Sequence, residues 1–198
     1  GAALLIGYLL TAAVSLTASV EAIASAYPAL WPYRVILALI VLGVIALANL
    51  RGVQESGTFM AIPVYLFLFT YLPMLAWGLI QLGVQGPASL AATAPPATQK
   101  LSLFLILHAF AAGCTALTGV EAISNGVPSF QPPESRNAGR TMIAMTILMG
   151  ALFIGSIGLT QAFGVVARPD ETILSALTRK LLGGGLPYVL IQVSTMLI

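Results

Sequence analysis

Apolar residues fill this chain in blocks about as long as a bilayer is thick. A spanning helix needs roughly 20 mostly apolar residues. That ruler selects five full spans and a truncated sixth, at 4–26, 33–50, 58–82, 101–127, 141–163 and 186–198. The interruptions between them have local causes. Tyr27-Pro28, reinforced by Pro32, ends the first span, because proline disfavours helix in the residue before it. Pro87, Pro95 and Pro96 lie in the polar loop from Gly83 to Lys100. The connector from Gly164 to Gly185 carries Arg168, Asp170, Glu171, Arg179 and Lys180, and its middle predicts a short amphipathic helix at the membrane interface. The pattern predicts an all-α polytopic membrane protein, with 1–198 as one transmembrane domain.

Composition agrees. The chain is 59% hydrophobic and 7% charged, against roughly 25% charged in soluble domains, and its mean hydropathy is +0.99. A net charge of +2 is too small to point to nucleic acid. A single cysteine, Cys114, excludes an internal disulfide and a cysteine-rich metal site, and among small apolar neighbours it reads as packing. The chain opens at Gly1 and closes at Ile198 inside an apolar run, as expected of an internal piece of a longer membrane protein.

The fourth span departs most from its own pattern. From Gly113 to Arg140 it reads GCTALTGVEAISNGVPSFQPPESRNAGR. Glu121 is a carboxylate at membrane depth, where a charge costs roughly 2.5–3.5 kcal/mol on insertion scales, so it is expected to face a cavity or a partner. Gly119 and Gly126 weaken the helix on either side of it, and Pro128 ends it. Irregular backbone at that depth is tolerated where it is buried in protein or lines a wet cavity. These residues predict a discontinuous helix near Gly119 whose freed backbone belongs to a site.

In the first span, Thr11, Ser15 and Ser19 recur every four residues and stack on one helical face. Two readings stand side by side: a small-residue packing face, or a strip of oxygen ligands. Glu21, nearer the end of that helix, is either a wetted or paired carboxylate or a pathway residue. Pro63 and Pro73 predict kinks in the third span, with Tyr65 and Tyr71 as packing or cavity lining. Trp31 and Trp77 read as interfacial anchors. His108, the only histidine, is either a bond across helices or a proton relay. No catalytic constellation is present, which argues against an enzyme. Hydroxyls, unwound carbonyls and one carboxylate are hard oxygen donors suited to Na⁺, K⁺ or H⁺. No cofactor is expected, and no metal beyond an alkali cation.

The fourth span and the turn after it resemble the sixth helix of the amino acid–polyamine–organocation (APC) superfamily, through Gly119-Val120-Glu121 and Glu134-Ser135-Arg136-Asn137. The longer string ALTGVEAISNGVPSFQPPESRNAGRT is similar to potassium importers of the Kup/KimA type. ANLRGVQESGTFMAIPVYLF and LTAAVSLTASVEAIASAYP add to that likeness. The resemblance implies helices three to eight of a twelve-helix inverted-repeat fold. It implies that Thr11, Ser15, Thr118 and Glu121 contribute to cation binding or proton coupling, with Gly119 and Gly126 exposing backbone at the break. Val120 stands where amino acid permeases carry an aromatic residue, which favours potassium over an amino acid. A count of basic residues places Arg34, Lys100, Arg168, Arg179 and Lys180 on the cytoplasmic side. The resemblance instead places Arg51, Arg136 and Arg140 there, and it is preferred because the count covers few loops.

The expected function is secondary import of a small cation, potassium with protons, by alternating access, in a multi-pass prokaryotic plasma membrane. The partners are then the bilayer and K⁺ and H⁺, with no nucleic acid, and a homodimer is compatible. One alternative is an amino acid or polyamine permease of the same superfamily. The other is a membrane receptor or structural subunit without transport.

Overall fold

The computed structural model describes residues 2–50, 57–85, 101–114, 118–166 and 168–198; the side chains of Ala3, Asn49, Gln85, Thr118 and residues 57–60 lie outside that description. The turn carrying Arg51 and most of the 83–100 loop, with Pro87, Pro95, Pro96 and Lys100, fall outside the described residues.

Helices account for the architecture. They are α1 (Ala2–Ala26), α2 (Arg34–Leu50), α3 (Gly57–Gln85), α4 (Leu103–Cys114), α5 (Thr118–Asn125), α6 (Glu134–Ala162), α7 (Ile173–Leu182) and α8 (Leu186–Leu197). Short 3₁₀ turns at Pro28–Tyr33 and Val127–Ser129 join neighbours. Among the described residues the only β-type pairing is an isolated bridge between Arg168 and Glu171. Among the described residues, four helices are long and apolar enough to cross a membrane, and α4 with α5 makes a fifth if the bent pair is one span. The chain is thus an all-α polytopic membrane segment.

Each boundary has a local reason. After α1, Tyr27 leaves the helical region at φ −126°, ψ 84° before Pro28, and the 3₁₀ turn holds Pro32. In α3 both Pro63 and Pro73 sit inside one continuous helix. The last long helix begins at Glu134, directly after Pro133, seven residues before the apolar run at Thr141. Its first turns are polar, so a hydropathy ruler passes over them, yet Glu134 suits the positive end of a helix. The amphipathic helix expected in the connector is α7. Thr172 caps its start by accepting from the Ser175 N–H at 3.2 Å, and Arg179 and Lys180 occupy its last turn, where the dipole favours cations. Gly183, at φ 74°, closes it in a left-handed conformation that favours glycine.

Two compact units divide the chain: residues 1–94 with 156–198, and residues 95–155. In the first, the core gathers Val20, Ala22 and Ala24 from α1, Tyr71, Met74 and Leu75 from α3, Leu177 and Leu181 from α7, and Tyr188 and Ile191 from α8, together with Leu159 and Phe163. Gly78 is required by close approach. A Cβ there would lie 2.6 Å from Leu159 Cδ1 and 3.0 Å from Leu181 Cδ1. Tyr71, expected as packing or cavity lining, is fully buried and its hydroxyl bonds Ser156 Oγ at 2.8 Å, while Tyr65 is exposed. Many large apolar residues of α1–α3, such as Leu5, Ile36 and Phe69, are uncovered by protein. A membrane helix keeps such a surface for lipid.

Candidate functional site

Two groups of polar residues interrupt this apolar scaffold, one in each compact unit. The first is the broken span. Helices α4 and α5 meet at an angle of 45° across a gap of a few residues. A helix end leaves roughly four C=O or N–H groups without intrahelical partners. The residues that follow Cys114, 115–117, lie outside the described residues. Glu121 stands in the first turn of α5, where its carboxylate offsets the positive end of that helix. It is exposed. Glu121 lies seven residues beyond Cys114, the last described residue of α4.

The glycines flanking Glu121 occupy distinct positions. Gly119 follows the gap and lies inside the first turn of α5, where a Cβ would sit 3.0 Å from Met145 Cε of α6. Gly126 terminates α5, its N–H reaching the Ala122 and Ile123 carbonyls at 3.0 and 3.1 Å. The side chain of Thr118 lies outside the described residues.

Thr11 and Ser15 belong to α1, in the other unit. Thr11 Oγ1 donates to the Gly7 carbonyl at 2.9 Å, and Ser19 Oγ donates to Leu16 O at 2.9 Å. Such back-bonding satisfies the hydroxyl hydrogen within the helix and leaves oxygen lone pairs for another partner. Ser15 is exposed and Thr11 half-buried. Glu21 is half-buried, and His108 is exposed, with its ring centroid 6.3 Å from that of Phe104.

The second polar group is a buried knot around α7. Glu171 is only 8% exposed. Its Oε1 forms an ion pair with Arg179 Nη2 at 3.1 Å and accepts a hydrogen bond from Ser175 Oγ at 3.0 Å. Arg179 Nη2 also donates to the Tyr188 hydroxyl at 2.9 Å and to the Ser25 carbonyl at 3.2 Å. Tyr188 donates to that same carbonyl at 3.0 Å, and its hydroxyl is 2.6 Å from Ser175 Oγ. Ser25 Oγ receives the Thr172 N–H at 3.0 Å. The Tyr188 hydrogen bond raises the Arg179 pKa from its ordinary value; burial opposes this, and the charges of Tyr188 and Glu171 add to it. The buried carboxylate is sustained by its half-exposed cation and by hydrogen bonds, and the bonds of the group join the ends of α1, α7 and α8. Sequence reasoning placed Glu171 and Arg179 in an interfacial connector without joining them. Part of the signal was present: Ser175 and Arg179 are four apart and share one face of α7, and Glu171 lies just before the cap of that helix.

The amino acid permease family model matches residues 1–191. The chain belongs to that family. It is 44% identical over 201 residues to the potassium transporter KimA of Bacillus subtilis (strain 168). That match covers 100% of this chain and 33% of KimA, so the chain spans about a third of the length of this curated relative.

Proposed function

We propose that the protein is a secondary transporter importing a small cation, potassium coupled to protons, by alternating access. The observation that carries this reading is the 45° break between α4 and α5 with Glu121 in the first turn beyond it. Carbonyls freed at such a bend would replace part of an alkali ion's hydration shell, and a carboxylate beside them would supply charge or accept a proton. The likeness to a relative named a potassium transporter supports potassium as the cation. In this reading Glu121 is the charged centre, Thr118, Thr11 and Ser15 supply neutral oxygens, and Gly119 and Gly126 shape the interrupted backbone.

The test is growth of a potassium-uptake-deficient host expressing the full-length gene at limiting potassium. Rescue is expected for the native protein and lost with Glu121→Ala. Rescue that survives the substitution would remove Glu121 from the mechanism. A second reading, an amino acid or polyamine permease, is favoured by the description of the matching family. In that case the unwound backbone holds the amine or carboxylate of the substrate, and potassium-independent uptake of a labelled amino acid is the expected result.

A further inference from the structure

We propose that the polar cavity beside α7 binds a phosphate group, presented either as inorganic phosphate or as the headgroup of an anionic phospholipid. The cavity holds about 370 Å³ and is lined by Arg168, Glu171, Arg179 and Lys180, with the chain at Gly164–Val166 forming part of its wall. Three cations and one carboxylate therefore face the same space. The carboxylate is already engaged by Arg179 and Ser175, so the lining presents an excess of positive charge.

The donors are also spare. Among the described residues, the bonds from Arg179 all leave through Nη2, and its side chain is 43% exposed. A guanidinium carries five N–H donors in a planar fork, and the fork matches phosphate oxygens. Lys180 Nζ donates to the Phe163 carbonyl just past the end of α6, which uses one of its three N–H groups. Arg168 is exposed, and its side chain makes no hydrogen bond or ion pair among the described residues. Its backbone pairs with Glu171 in the isolated bridge that holds this rim together. A tetrahedral oxyanion can accept from two forks and a point charge at once, which a monovalent halide cannot.

The position of the cavity fits either source. It lies where the long apolar helix α6 gives way to the amphipathic α7. Basic pockets beside membrane helices are where lipid headgroups dock. The volume exceeds that of a phosphate ion alone, leaving room for glycerol oxygens or water.

The full-length protein, purified in a phosphate-free detergent solution, provides the test. In one arm inorganic phosphate is titrated while the thermal unfolding midpoint is followed. In the other, delipidated protein is offered phosphatidylglycerol, and retained lipid is read by native mass spectrometry. A midpoint that rises with phosphate assigns the site to the free ion, whereas retention of phosphatidylglycerol alone assigns it to a headgroup. In either case Arg168→Gln is expected to weaken binding about tenfold, the loss of one charge-assisted hydrogen bond. It should leave the ligand-free midpoint unchanged, since Arg168 takes no part in the buried knot. Lys180→Gln should weaken binding comparably, and Lys180→Arg, which keeps the charge and a donor for Phe163, should restore it. The proposal is overturned if neither phosphate nor phosphatidylglycerol binds, or if binding is indifferent to both Arg168→Gln and Lys180→Gln.

Discussion

Glu121 and Glu171 are both carboxylates on or beside short helices, and their surroundings differ in kind. Glu171 is closed in by Ser175 and Arg179, whereas Glu121 is exposed beyond a helix break. The first pattern is structural. Glu171→Gln keeps an acceptor for Ser175 and gives up the ion pair, and because Arg179 is 43% exposed the cost is expected at about 1 kcal/mol after screening. Tyr188→Phe should cost more, about 1–3 kcal/mol, because the fully buried Ser175 loses a partner as well as the half-exposed Arg179. Denaturant unfolding of the full-length protein measures both, and equal effects would show that the pair and the hydroxyl are not distinct contributions. The pH dependence follows from the sign of the shift at Arg179. Its pKa is raised by folding, so its share of stability is present throughout the neutral and acidic range and is lost only above the raised value.

At the scale of elements, local chemistry decides where helices stop and how closely they meet. Gly78→Val would drive a branched side chain into Leu159 and Leu181, of which Leu159 is fully buried. Overpacking of that kind is expected to cost about 1–3 kcal/mol, visible as a lowered unfolding midpoint; an unchanged midpoint would mean that α3 shifts freely against α6 and α7. Thr172→Ala removes the cap of α7 and should cost about 1 kcal/mol. The same elements show what could be read in advance. Apolar blocks located α1, α2, α3 and α8 closely, because in a membrane apolar length is itself the requirement for a span. The start of α6 escaped, since Glu134–Arg140 is polar and reads as loop until Pro133 is seen to precede a helix. The break between α4 and α5 was legible because a carboxylate and glycines have no other place in a spanning helix. The knot joining Ser25, Glu171 and Tyr188 was not, because its members lie 146 and 17 positions apart in the chain and only tertiary packing brings them together.

For the whole molecule, membership of the amino acid permease family and 44% identity to a potassium transporter agree with an interrupted span that carries a carboxylate. Under the proposed function, the knot around α7 and the candidate binding residues have separate duties. Substitutions in α7 are expected to lower stability with transport per folded molecule retained, and substitutions at Glu121 to abolish transport with stability retained. The central claim is that Glu121 is the charged centre of a cation pathway. It is tested most directly by potassium uptake into proteoliposomes containing the full-length protein, driven by an imposed proton gradient, with native Glu121 and with Glu121→Gln. The account expects gradient-driven potassium accumulation by the native protein and a fall of at least about tenfold for the variant, the loss of one charged ligand. Equal accumulation by the two proteins would contradict it.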